Sequence, residues 1–337
     1  MVQVEPALSE VVRRASEWRS LQPLRTDSVP WRLWEKAKKS FWDPADIDFS
    51  EDAKQWKEMD EDAKLALSGL ARGFMVGEEG VTLDILPLVL AVADEGRLEE
   101  TIFLTSFSLE EAKHVDFFRR FFDAIGADLH ELEELGDARM REGGIEPIDR
   151  DRTEGMFERV LPQAMRRVLT DRSPEAFLDA SVTYNQFVEG CLANGGYKAW
   201  ADLFNMLGVL PGLSEGLSWV RKDESRHITY GTFLCRRILA ANPELIDFAR
   251  NRMHELSDYY FGEELPDYTA ETEKLGENSP LGPVSAHMIS YFRRFASAQV
   301  DRRIQILEKA AGLSATEAEL GTGSEEAEAE LADLDVA

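Results

Sequence analysis

Two short stretches of this chain have the same form. Glu110-Glu111-Ala112-Lys113-His114 and Asp223-Glu224-Ser225-Arg226-His227 both read acid, Glu, any residue, base, His. Each lies in a long run of helical periodicity. On a helix, residues three apart point the same way, so Glu111 shares a face with His114, and Glu224 with His227. One such pair is ordinary, because a carboxylate and an imidazole one turn apart commonly form a surface or capping pair. Two of them, drawn from only five histidines in the chain, constrain the fold far more. The other three, His130, His254 and His287, have no such setting.

Each motif has a carboxylate upstream. Glu78 precedes Glu111 by 33 residues, in FMVGEEGV, and Glu189 precedes Glu224 by 35, in YNQFVEG. Both acids interrupt apolar helical stretches. A buried carboxylate is costly unless a cation or a hydrogen-bond donor meets it. The halves therefore share a layout: a helix with one inward Glu, a turn, then a helix with Glu-x-x-His. That is the ligand set of a carboxylate-bridged dimetal site, in which two helices give one Glu each and two give Glu-x-x-His. Four carboxylates offset the charge of two divalent cations, and mixed oxygen and imidazole ligands suit iron and manganese. The reading assigns Glu78, Glu111 and His114 to one metal and Glu189, Glu224 and His227 to the other, with each motif's Glu able to bridge. Two substitutions stay open: Glu79 for Glu78, and Glu110 for Glu111.

The rest of the chain suits such a site. Periodicity predicts long helices near 60–92, 98–125, 173–205, 214–240 and 283–311, with shorter ones near 31–40, 154–170 and 243–260. Pro87 falls inside the first long helix and is expected to kink it. Ser173-Pro174-Glu175 reads as an N-cap followed by proline at the first helical position. Around the first motif, Leu109, Ala112, Val115 and Phe118, widened by Phe117 and Phe121, form a stripe expected to face a core. No long alternating strand pattern appears, so the expected class is all-α, a four-helix bundle core with additional helices. It should span residues 1–312. Residues 313–337, rich in Glu, Ala and Gly, read as a disordered acidic tail.

Composition removes several functions. The net charge is -26, which argues against nucleic acid or an anionic membrane surface as a partner. The acids are spread along the whole chain, as expected for a surface adapted to a salty cytoplasm. No stretch approaches the roughly 18 apolar residues of a membrane span, and the N-terminus lacks a signal-peptide pattern. Two distant cysteines, Cys191 and Cys235, make neither a disulfide framework nor a thiolate site. The expectation is a cytoplasmic protein.

The six candidate ligands resemble those of the ferritin-like group that includes ribonucleotide reductase small subunits. The finer resemblance is to the R2-like ligand-binding oxidases. It rests on VGEEGVTLD (residues 76–84), EEAKH (110–114), SVTYN through VEG (181–190) and DESRH with the following GTF (223–233). It covers roughly residues 60 to 240. It implies a Mn/Fe site, with manganese beside Glu78, Glu111 and His114, and it implies oxygen activation and a homodimer. It further implies a bound long-chain fatty acid whose carboxylate reaches the metals, and a self-made ether cross-link between a tyrosine oxygen and a valine Cβ. The matching positions are Tyr184 and Val81. By the same resemblance Asp223 is a candidate for holding a metal-bound histidine from outside; a plain surface acid is the alternative. The rival function is a ribonucleotide reductase small subunit serving a larger partner. Against it, Phe118 stands where common members of that family keep a radical tyrosine, and no aromatic residue follows Phe295.

Overall fold

The computed structural model describes residues 23–142, 155–262 and 282–321. Every regular element among them is helical. The chain opens with α1 (Val29–Lys39), a 3-10 turn at Pro44–Asp46 and α2 (Ser50–Glu58). The first bundle pair is α3 (Glu61–Asp94) and α4 (Leu98–Ile125), followed by α5 (Leu129–Glu142). Asp60 caps α3 by accepting from the Ala63 N–H at 2.8 Å, and α3 runs on through Pro87 to Asp94. Gly126, at φ 67°, ends α4 by donating to Phe122 and Asp123 carbonyls, the left-handed stop that glycine makes without strain.

A π-helical turn at Met156–Val160 leads into α6 (Leu161–Arg167). The second bundle pair begins with α7 (Pro174–Ser181), where Ser173 accepts from the Ala176 N–H at 3.2 Å as the sequence predicts. This rod continues through a π-helix, Val182–Ala193, into α8 (Asn194–Leu207). Its partner is α9 (Pro211–Ala241). Then follow α10 (Ile246–Phe261), α11 (Gly282–Ala310) and α12 (Ala315–Leu320). In the core, α3 packs along α4, and α9 packs on the π-helical rod and on α4. This is the four-helix core expected from the sequence.

Two apolar clusters fill the bundle, one above and one below a single polar level. Val81, Ile85, Leu88, Phe103, Phe107, Tyr184, Phe187 and Tyr230 belong to the first. Met75, Phe117, Phe118, Tyr197, Trp200, Leu217 and Val220 belong to the second. On each helix the candidate ligands fall between them: Glu78 between Met75 and Val81, Glu111 and His114 between Phe107 and Phe117, Glu189 between Phe187 and Tyr197, Glu224 and His227 between Val220 and Tyr230. The interruption of the apolar pattern is thus at one height in all four helices.

Two expectations need correction. Only the phenylalanines of the stripe around the first motif face the core: Phe117, Phe118 and Phe121 are buried, but Leu109 is 51% exposed, Ala112 is exposed and Val115 half-buried. The inward face carries Phe107, Glu110, Glu111, His114, Phe117, Phe118 and Phe121. Inward acids and histidine count as polar in any hydropathy pattern, so the apparent apolar face rotates away from the true one. Residues 315–320, expected within a disordered tail, are instead helical. Ser314 and Glu317 form a capping box at α12. Glu319 pairs with Arg97 and, at 3.3 Å, with Arg25, while Arg32 donates to the Leu320 carbonyl at 2.6 Å. Arginines thus hold an acidic segment whose hydropathy alone predicts no structure; residues 322–337 lie outside the described residues.

Candidate metal centre

Glu78, Glu111, His114, Glu189, Glu224 and His227 are all buried, and the bundle brings them together. Glu78, Glu111, His114 and Glu224 offer one atom each within 4.8 Å of one another, and so do Glu111, Glu189 and His227. Ligand atoms about 2.1 Å from a shared ion stand up to about 4.2 Å apart, so each set needs only small adjustments. Glu111 belongs to both sets, so its carboxylate is placed where it could serve two ions. Glu224 falls in the first set, not the second as its motif suggests. Its oxygens reach both imidazoles, 3.5 Å from His114 Nδ1 and 3.7 Å from His227 Nδ1.

Both histidines are oriented alike. His114 turns Nδ1 inward, 3.2 Å from Glu78, and presents Nε2 to Asp223 at 3.3 Å. His227 turns Nδ1 inward, 3.2 Å from Glu111, and presents Nε2 to Glu110 at 2.9 Å. A carboxylate on the outer nitrogen fixes the tautomer and leaves the inner one for a metal. Four buried atoms at this point have no hydrogen-bond partner: Glu111 Oε2, Glu189 Oε1, Glu224 Oε2 and His227 Nδ1. Buried polar atoms are ordinarily satisfied. Four convergent exceptions, three of them carboxylate oxygens, fit divalent cations.

The electrostatics agree. Burial pushes the Glu78 carboxyl up to about 8, against the pull of His114. Burial and then the adjacent Glu224 raise Glu189 well above the usual carboxylate range. For Glu111, burial acts upward, but hydrogen bonds from His114 and the charge of His227 outweigh it and hold the carboxyl low. Burial disfavours charge on His114 and His227, yet the surrounding carboxylates raise both. Without metal, these acids share protons with the imidazoles.

Both alternative acids point away from the inner cluster. Glu79 meets Arg119 at the surface, outside the cluster. Glu110 points to His227 Nε2 and to Arg226, 2.6 Å away, on the outer side. Asp223 is fully buried and accepts from Trp42 Nε1 at 2.8 Å and Lys113 Nζ at 3.1 Å as well as from Arg226. Tyr184 donates to Glu111 Oε1 at 2.9 Å. Val81 is buried in the same apolar cluster as Tyr184. His130 and His254 are exposed, away from the site.

Several contributors are not evident from the sequence. Tyr197 donates to Glu78. The Asn185 amide donates to Glu189 Oε2 at 2.9 Å, four residues on within the π-helix, a geometry that often marks functional sites. Glu110 had a readable signal: it occupies the same frame in its motif that Asp223 occupies in the other. Nothing comparable marks Trp42, 181 residues from its partner.

The family described as ribonucleotide reductase, small chain, matches residues 21–265. Among solved structures, an R2-like ligand-binding oxidase from Sulfolobus acidocaldarius shares 34% identity over 88% of this chain and 95% of its own, with a TM-score of 0.70. A variant of R2-like ligand-binding oxidase, aerobically reconstituted with a Mn/Fe cofactor, shares 33% over 84% of this chain and 98% of its own, at 0.72. Another, anaerobically reconstituted with Mn/Fe, shares 33% over 84% and 94%, at 0.69. This chain belongs to the R2-like ligand-binding oxidases. Like other R2-like ligand-binding oxidases, it is an oxidoreductase of a ferritin-like dimetal class, and its own carboxylate and histidine cluster is where such a cofactor fits. No helix among the described residues is long and apolar enough to cross a membrane.

Proposed function

We propose that this chain activates dioxygen at a Mn/Fe pair held by Glu78, Glu111, His114, Glu189, Glu224 and His227, binds a long-chain fatty acid, and oxidises an unactivated C–H bond. Manganese takes the position of Glu78, Glu111 and His114. In the first instance the bond oxidised is at Val81 Cβ, which becomes joined to the Tyr184 oxygen. The observation that carries this reading is the convergence of four unpartnered buried ligand atoms on one point. Bound there, the metal pair supplies the reducing electrons for dioxygen and the oxidising power for C–H cleavage.

The protein supplies placement. Tyr184 is fully buried and its hydroxyl is aimed at Glu111, so the carboxylate orients the phenol oxygen and accepts its proton. Val81 lies one turn beyond Glu78, in the apolar cluster that also holds Tyr184. Ether formation removes one hydrogen from Val81 Cβ and one from the phenol; they leave as two protons and two electrons, and dioxygen takes the electrons. Asp223 holds His114 from outside. Phe107, stacked on His227 at 3.6 Å between ring centroids, and the surrounding apolar cluster exclude water and suit an acyl chain, whose carboxylate would reach the metals.

The homodimer has a surface to use. Val76, Leu83, Leu86 and Leu90 on α3 and Leu98 and Leu109 on α4 are 40–66% exposed, and the two helices pack side by side. Apolar side chains clustered on one face mark an association surface. Leu83→Glu combined with Leu90→Glu should give monomers in sedimentation; an unchanged dimer places the interface elsewhere. Both cysteines are buried free thiols, in keeping with a reducing cytoplasm.

Peptide mass spectrometry of protein loaded with Mn and Fe and exposed to air tests the chemistry. The expected product joins the Val81 and Tyr184 peptides with two hydrogens missing, and Tyr184→Phe keeps both metals but loses the product. Separate peptides in fully loaded wild type would turn the reading towards oxidation of an external substrate or radical generation. The radical-generating reading has less support, since Phe118 is fully buried against Phe74 and offers no phenol.

A further inference from the structure

Outside the six candidate ligands, one cation joins the two halves of the site. Arg226 is 5% exposed. Its Nη2 donates to Glu110 Oε1 at 2.6 Å and to Asp223 Oδ1, and its Nη1 donates to the Lys222 carbonyl at 3.0 Å. Glu110 places its other oxygen on His227 Nε2, and Asp223 places its other oxygen on His114 Nε2. A continuous chain therefore runs His114, Asp223, Arg226, Glu110, His227. It passes behind the metal site, on the outer nitrogens of both imidazoles.

We propose that Arg226 is a positioning residue that couples the two metal positions, so that filling one prepares the other; this rests on the ligand roles proposed above. The physical reason is the sharing of one guanidinium nitrogen between two carboxylates. When a metal draws His227 inward, Glu110 follows its imidazole and its pull on Nη2 changes. Asp223 then receives a different share of the same donor, and its hold on His114 changes with it. Charge-assisted bonds of a planar guanidinium are strong and directional, so the link transmits orientation rather than only net charge. The two ends are unequal. Asp223 is also anchored by Trp42 and Lys113, whereas the Glu110 carboxylate has Arg226 and His227. Loss of Arg226 therefore loosens the His227 position more than the His114 position.

The test is anaerobic Mn(II) titration of the full metal-free chain, followed by electron paramagnetic resonance, which separates single ions from coupled pairs. Crystals soaked at sub-saturating Mn(II) give the occupancy of each position by anomalous scattering. Wild type is expected to fill both positions together, with few singly loaded molecules. Arg226→Lys keeps the charge but not the fork. It should fill stepwise, with affinity at the His227 position down by about tenfold, the low end of what outer partners of metal ligands contribute. Glu110→Gln supplies the decisive comparison. Of the two imidazoles it touches only His227, yet should change binding at the His114 position, and this remote effect should vanish in the Arg226→Lys background. Paired filling that persists in Arg226→Lys, or a Glu110→Gln effect confined to His227, overturns the coupling. Wild type that takes up no Mn(II) overturns the ligand assignment instead. Melting of each metal-free variant identifies any loss of folding, and Glu110→Gln alone still decides the question if Arg226→Lys does not fold.

Discussion

His114 faces Trp42 with 6.4 Å between ring centroids and gives its outer nitrogen to Asp223; His227 lies flat on Phe107 at 3.6 Å and gives its own to Glu110. The single glutamate of the first half, Glu78, sits on an α-helix and is held by a phenol from Tyr197. That of the second half, Glu189, sits on a π-helix and is held by the amide of Asn185. The same motif thus serves two unlike surroundings. The first half opens towards the indole and lysine of α1's flank and α4. The second is enclosed by apolar rings. Ligand spacing repeats; the chemistry around each copy does not.

The shared element of the halves is Glu111, so its removal should have the largest effect. Glu111→Ala is expected to bind neither metal at stoichiometric concentrations, as measured by elemental analysis after desalting. Retention of one equivalent would show that the halves stand independently.

Protons test what the halves have in common. In the metal-free fold Glu78 is raised to about 8, and Glu189 and both imidazoles are raised as well. The folded chain then holds more protons than the unfolded one between pH 6 and 8, so stability falls as pH rises, on the order of 2 kcal/mol from Glu78 alone. Glu111 and Asp223, held low, are ionised in both states in this window and add no slope. Metal replaces the protons and flattens the dependence. Urea melts at the two pH values should show the metal-free midpoint dropping with pH; a rising midpoint contradicts the shared-proton picture.

The second half alone depends on a close approach. A Cβ on Gly231 would lie 2.0 Å from Asn185 Cβ, so Gly231→Ala must displace the amide that holds Glu189. Overpacking of this kind costs about 1–3 kcal/mol, and metal binding should weaken more beside Glu189 than at the first position. Equal weakening at both positions would erase the contrast. The smallest change expected is Tyr197→Phe, which removes one hydrogen bond, worth about 1 kcal/mol net. It should loosen the first position several-fold in Mn(II) titration, with a smaller change at the second.

Much of this architecture is legible in the residues. Helix α4 is predicted at its observed bounds, and the long helices of the second pair fall within about three residues of theirs. α2 and α5 carry too weak an apolar pattern to stand out, and α12 too acidic a one. At the site, the two Glu-x-x-His motifs and their upstream acids identify the cluster because helix geometry makes sequence spacing into spatial direction. The outer contacts are harder. Asp223 is suggested by resemblance, Glu110 only by symmetry with it, and Tyr197, Asn185 and Trp42 by nothing local.

What the sequence determines by itself is the face each ligand shares and the level at which the core turns polar, since both follow from 3.6-residue periodicity. It also determines the excess of buried acid that calls for cations. The tertiary structure decides which oxygen meets which nitrogen. It places Glu224 with the first set and Glu110 outside, turns Leu109 to the surface, and lets Arg226 reach both halves. These are distances between helices, set by how four rods pack, and no single rod's sequence encodes them.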